Sequence, residues 1–183
     1  MKTTISLLLF WTLTACAFAQ DAGGINRAEM KKVDWALGQW EGEGWVESQS
    51  GGKLTFTANA ISKSKLDGVI HLLEGTSKFR REGVDSEVII NSHISILSYD
   101  PKAKCYRLRS YREDGTCGQD ELKYQDHTFR WEKRDDERGV NQRFAMRLDE
   151  EGHLIYTGEI SQDQTNWREF FHAVYRRVDK TAQ

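Results

Sequence analysis

Arg107, Arg109 and Tyr111 share one face of a short alternating segment, and Trp131 follows about one strand pair later. A guanidinium is a planar, two-pronged donor that matches a carboxylate. Turned into an enclosed apolar space, these four residues would hold the acid group of a small ligand. Turned outward, with Tyr106 and Leu108 inside, the same arginines are a solvated face, and the pattern accommodates both orientations. His71, Glu74 and Glu169 are further candidates to line such a space, their facing left open by the pattern.

Other chemistry is sparse. The five histidines, His71, His93, His127, His153 and His172, form no H-x-H, H-x-x-x-H or H-E-x-x-H, and no cysteine stands near them at zinc spacing. There is no G-x-S-x-G elbow and no phosphate-cradling glycine loop. Gly42-Glu43-Gly44 lacks a third glycine and a following helix, and reads as a place where a strand bends. The run Lys133 to Arg138 mixes signs and reads as a solvated tip. No cofactor or metal is expected, and the motifs point away from an enzyme.

The elements that carry these residues are extended. From Gly38 onward, nine turn clusters divide the chain: Ser50-Gly51-Gly52, Leu66-Asp67-Gly68, Glu82-Gly83, Asp100-Pro101-Lys102, Asp114-Gly115, Gln125-Asp126, Asp135 to Gly139, Glu150-Glu151-Gly152 and Ser161 to Asn166. Each supplies glycine for positive φ, Asp or Asn for local hydrogen bonds, or proline for a preset φ. Between them side chains alternate, as in Phe129/Trp131 against Arg130/Glu132 and Phe144/Met146/Leu148 against Arg143/Ala145/Arg147. Connections this short require antiparallel neighbours. About ten sequential strands leave two bare edges unless they close, so the expected fold is all-β: one up-and-down antiparallel barrel. A barrel of that strand number encloses a lumen. A Greek-key sandwich is the alternative. Arg27 to Leu37 breaks the pattern with helical spacing and Asn26 as N-cap, which predicts a short helix capping one barrel end, preceded by a loose linker at Asp21 to Gly24.

The first residues read as an export signal. Lys2 precedes the apolar run Ile5 to Leu13, and Ala17-Phe18-Ala19 offers small residues before a cleavage point, giving a leader over 1–19. Leu13-Thr14-Ala15-Cys16 also fits the bacterial lipoprotein pattern, so a lipid anchor at Cys16 stays open beside a free periplasmic or secreted form. The barrel domain is expected over 33–178, with 20–32 as linker and helix start and 179–183 as a tail. A hairpin turn near residue 114 pairs residues whose numbers sum to about 227 or 228. Cys105 and Cys117 are then too far apart along the hairpin to bridge, and are expected as free, buried thiols.

Composition agrees. The chain has 183 residues, 26 Lys+Arg against 28 Asp+Glu and 11% aromatic residues. That balance gives no basic footprint for nucleic acid. Outside the leader no apolar stretch approaches the roughly 20 residues of a membrane-spanning helix.

Gly38-x-Trp40 at the start of the first strand resembles the glycine-x-tryptophan signature of the calycins, the lipocalins and fatty-acid-binding proteins. Leu66-Asp67-Gly68, Leu73-Glu74-Gly75, Ser98 to Lys102, Tyr106 to Tyr111 and Thr165 to Glu169 follow in order, and the set looks most like an uncharacterised bacterial family of lipocalin-like domains. The resemblance covers about residues 33 to 178. It implies that Trp40 packs across the closed barrel end against an arginine of the last strand, Arg176 or Arg177. It also implies a carrier of a small apolar or amphipathic molecule, with an envelope module filled by its own side chains as the alternative. Nitrobindins, haem-binding barrels of the same neighbourhood, use a late histidine as iron ligand, and His172 is the corresponding candidate. They set it in a proline–histidine context, whereas this chain has no proline after Pro101.

Overall fold

The structure is a computed structural model that describes residues 23–48, 51–80 and 87–178. The expected leader over 1–19, Cys16, the expected turn at Glu82-Gly83 and the tail at 179–183 lie outside the described residues. A helix, α1 (23–31), and a 3-10 turn (Asp34–Ala36) precede ten strands: β1 (Gly38–Glu47), β2 (Lys53–Lys65), β3 (Ile70–Arg80), β4 (Glu87–Asp100), β5 (Cys105–Arg112), β6 (Cys117–Gln125), β7 (Thr128–Asp135), β8 (Val140–Leu148), β9 (Leu154–Ser161) and β10 (Arg168–Arg177). Each strand pairs antiparallel with its chain neighbours, and β1 pairs with β10 to close the barrel. Closure removes the unpaired N–H and C=O rows of an open sheet.

The helical segment differs from expectation. It spans 23–31 rather than starting after Asn26, so Gly23 and Gly24 are helical rather than a loose linker. Asn26, instead of capping, donates from Nδ2 to the Tyr99 carbonyl at 3.1 Å and ties α1 to β4. The β5–β6 register sums to 228 as expected, with Tyr111 opposite Cys117, and both cysteines are free; neither is buried, Cys105 being half-buried and Cys117 exposed.

α1 and the 3-10 turn plug one end of the barrel. Met30 and Val33 enter among Leu97, Tyr106, Leu122, Phe129 and Trp131, all buried. Trp35 stacks on Tyr124 and donates its Nε1–H to the Tyr124 hydroxyl at 2.9 Å. Tyr106 donates to the Glu29 carbonyl at 2.9 Å. Burying side chains of this size stabilises by about 1.5–3 kcal/mol each, so this floor is a main source of the core's stability.

The end is sealed as the sequence signature implies, with Arg177 in the closing role and not Arg176. The Arg177 guanidinium lies 4.3 Å from the Trp40 ring centre and donates to the Trp35 carbonyl at 2.8 Å and to the Leu37 carbonyl. Gly38 has φ +127, and a Cβ there would meet Arg177 Nη1 at 2.5 Å, so this corner requires glycine. Arg176 points outward, 3.7 Å from Glu43.

Two bulges change facing. The β10–β9 register shifts between Glu169 and Phe171, and Phe170 and Phe171 both reach inward: Phe170 contacts Phe144, while Phe171 contacts Phe56 and Tyr156. A second shift falls between Ser77 and Lys78 on β3 against β4.

Candidate functional site

Facing follows from alternation, anchored on residues buried in the floor. On β5, buried Tyr106 fixes Leu108, Ser110 and Arg112 as inward, which leaves Arg107, Arg109 and Tyr111 outside. The lumen role expected for those three is corrected accordingly. Arg107 pairs with Asp100 at 2.8 Å and Glu121 at 2.6 Å, Arg109 donates to Gln119 at 2.7 Å, and Tyr111 is 51% exposed. The Asp100 and Glu121 carboxylates hold the Arg107 guanidinium charged, and the Ala103 N–H and Arg107 hold the Asp100 carboxyl below its usual range. These are neighbouring-strand ion pairs on the outer wall.

Glu74 also faces out, opposite exposed Ile94. Glu169 and His172 pair with each other on the outside, at 2.9 Å. His172 therefore does not fit the haem-ligand role: its partners are Glu169 and, across the sheet, Trp45, rather than anything in the lumen. His71 does face inward, but in the floor: it is 1% exposed, with Nε2 at ion-pair distance, 3.2 Å, from Asp34 Oδ1 and neither ring nitrogen in a well-aligned hydrogen bond. Burial lowers its pKa against the raising effect of Asp34. Trp131 faces inward as expected, stacked on Phe144 at 5.3 Å.

Above the floor the interior is a cup. Inward residues of the open half keep part of their surface accessible although the barrel wall is closed: Ser77, His93, Ser110, Asp120, Phe144, Tyr156, Phe171 and Tyr175. In a plugged cylinder these would be buried, as Phe129 is at 0%. The accessible surface faces unfilled space.

The cup has two unlike walls. On β7 to β10 and β1 to β2 it is aromatic: Trp131, Phe144, Tyr156, Phe170, Phe171 and Phe56 form a connected set of rings at centroid distances of 4.7 to 6.2 Å. Small residues behind the rings make room. A Cβ on Gly42 would strike the Tyr175 ring at 2.4 Å, and one on Gly158 would meet Phe144 and Phe170 at 3.0 Å. Both glycines accept rings; for Gly42 the sequence suggested strand bending instead.

On β3 to β6 the wall is polar. Asn91, His93 and Ser95 alternate inward on β4, Ser110 and Arg112 on β5, and Asp120 on β6. His93 lies flat on Gly75, where a Cβ would come within 2.5 Å of the imidazole, and accepts at Nδ1 from Asn91 Nδ2 at 3.1 Å. Ser95 and Ser110 hydroxyls bond to each other at 2.7 Å. Burial, and then the Arg112 charge, lowers the His93 pKa and favours neutral imidazole. Burial pushes the Tyr175 phenol up to about 12 and raises Tyr156 as well, so both stay protonated donors. Asp120 and Arg112 act on Tyr156 with opposite sign. Among the described residues, His93 Nε2, the Asp120 carboxylate and the Tyr156 and Tyr175 hydroxyls have no hydrogen-bond partner, yet none is sealed from solvent. At the mouth a further cleft of about 320 Å³ opens between Val140, Ile160 and Trp167.

No protein-family model matches the chain, and no curated protein matches it. Among solved structures it is similar to Rv2717c from M. tuberculosis, with a TM-score of 0.57 and 12% sequence identity over 82% of this chain and 97% of that one. At that identity the likeness concerns the ten-stranded barrel alone.

Proposed function

We propose that this protein is a non-enzymatic carrier or sensor that holds one small amphipathic molecule in the open half of a calycin-like barrel. The observation that carries the reading is the set of inward side chains that keep accessible surface above a solid floor. A fold that only needed stability would gain by filling that space, since each unfilled methyl-sized void costs about 1 kcal/mol. Aromatic rings on one side and unpaired polar groups on the other suit a ligand with an apolar body and a hydrogen-bonding group. The sequence pattern over 1–19, read as a leader, supports a location outside the cytoplasm, with a free form or an anchor at Cys16 as its two outcomes.

Native mass spectrometry of the protein purified from its own host tests the reading. A discrete adduct of small-molecule mass, released on denaturation, is the expected result. Apo mass alone, from several growth conditions, would instead favour an envelope module.

A further inference from the structure

Resting on that reading, we infer that the occupant is a planar aromatic molecule without net charge, carrying a hydrogen-bond donor and acceptor on one edge. The body follows from the aromatic wall. Phe144, Tyr156, Phe170 and Phe171, backed by buried Trp131, present ring faces and edges that are only partly covered by one another. A flat ring satisfies such surfaces by offset stacking and edge contact, worth about 0.5–1.5 kcal/mol per pair beyond area burial. An alkyl chain gains only the area term.

The absence of net charge follows from the groups facing the space. Inside the cup the facing charges, Arg112 on β5 and Asp120 on β6, are of opposite sign; at the solvent-exposed lip, Asp135 on β7 stands between Lys133 on the same strand and Arg138, whose Nε is 3.7 Å away. Lys133 Nζ lies 5.1 Å from the Phe144 ring centre, and Asp135 accepts from the Arg138 N–H. His93 is the remaining titratable group beside the phenols, and its imidazole is kept neutral by burial. A ligand with net charge would enter a partly desolvated space without a surplus counter-charge, which is unfavourable.

The mixed edge follows from complementarity of the free atoms. Asp120 only accepts, Arg112 only donates, His93 donates at Nε2 because its Nδ1 accepts from Asn91, and the Tyr156 and Tyr175 hydroxyls serve on either side. An edge offering one donor and one acceptor pairs with this wall. A purely accepting carboxylate leaves Asp120 unmatched.

Three dyes, one neutral, one anionic and one cationic, test this: Nile red, anilinonaphthalene sulfonate and acridine orange, titrated into the folded protein after any native occupant is stripped. Nile red is expected to bind saturably, about tenfold or more tighter than either charged dye, equivalent to about 1.4 kcal/mol. Asp120→Asn should raise affinity for the anionic dye, and Arg112→Gln should raise it for the cationic one. Ser110→Trp, which fills the cup, should abolish Nile red binding with the far-ultraviolet dichroism unchanged, while Tyr111→Ser on the outer wall should leave it intact. A wild-type preference for a charged dye, or a ranking that neither charge variant moves, overturns the inference. A charged or aliphatic adduct in host-purified protein overturns it too, while leaving the carrier reading standing. No dye and no adduct would remove both.

Discussion

The guanidinium carbon of Arg177 sits 4.3 Å from the centre of the Trp40 indole, at the junction of the first strand, the last strand and the 3-10 turn. Trp40 Nε1 donates to the Ala36 carbonyl at 3.2 Å, and Arg177 donates to the Trp35 and Leu37 carbonyls. One stacked pair thus satisfies three backbone acceptors of the segment that plugs the barrel. The floor under the cup depends on it.

Arg177→Ala should therefore destabilise the fold by about 1–3 kcal/mol, combining the lost cation–π contact with the unpaired carbonyls. Arg176→Ala, on the outer face beside Glu43, should stay within about 0.5 kcal/mol of wild type. Urea midpoints at unchanged slope measure both. Equal effects would mean that the stacked geometry contributes nothing.

A second contrast lies along the glycines. A Cβ on Gly44 would come 2.2 Å from the His172 carbonyl oxygen and 2.9 Å from Ala173 Cα, atoms of the closing strand that cannot move without opening the β1–β10 seam. Gly44→Ala should cost about 2–3 kcal/mol. Gly118→Ala meets nothing within 4 Å, and should be neutral or slightly stabilising through the unfolded chain. Thermal melts of the two variants decide, and a tolerated alanine at Gly44 would contradict the packing at the seam.

Stability should also fall with acid in a window set by two histidines. His71 and His93 both have folded pKa values below the ordinary 6.5, with desolvation as the main cause. The unfolded chain then binds more protons, so stability is full above 6.5 and declines as pH drops from there toward the folded values. Asp34 beside His71 opposes the shift, and Arg112 beside His93 adds to it. Chemical denaturation between pH 7.5 and 5.5 should show this decline in wild type and a shallower one in His71→Asn/His93→Asn. An identical slope in the double variant would remove these histidines as its source.

Much of the barrel was legible because turns and strand alternation are local. The turn at Asp114-Gly115 alone set the β5–β6 register, as Tyr111 opposite Cys117 attests. The facing of the site was harder to read. β4 runs against the usual rule, with Ile94 46% exposed outside and Ser95 3% exposed within, so a polar lumen inverts the hydrophobic pattern that signals which side is core. His93, Ser110, Arg112, Asp120, Tyr156 and Tyr175 were missed for that reason. Tyr106 and Leu108 carried the one available signal on β5: their apolar character fixes Ser110 and Arg112 inward by parity. Phe170 and Phe171 escaped for another cause, since a bulge breaks the two-residue period and brings both rings inside.

A crystal structure of protein taken from its native host, without stripping, probes the cup most directly. Continuous non-protein density between His93 and Tyr156, resting against the Trp131 and Phe144 rings, is the result expected. Those same rings collapsed together, with no space left between the polar and aromatic walls, would contradict a binding lumen.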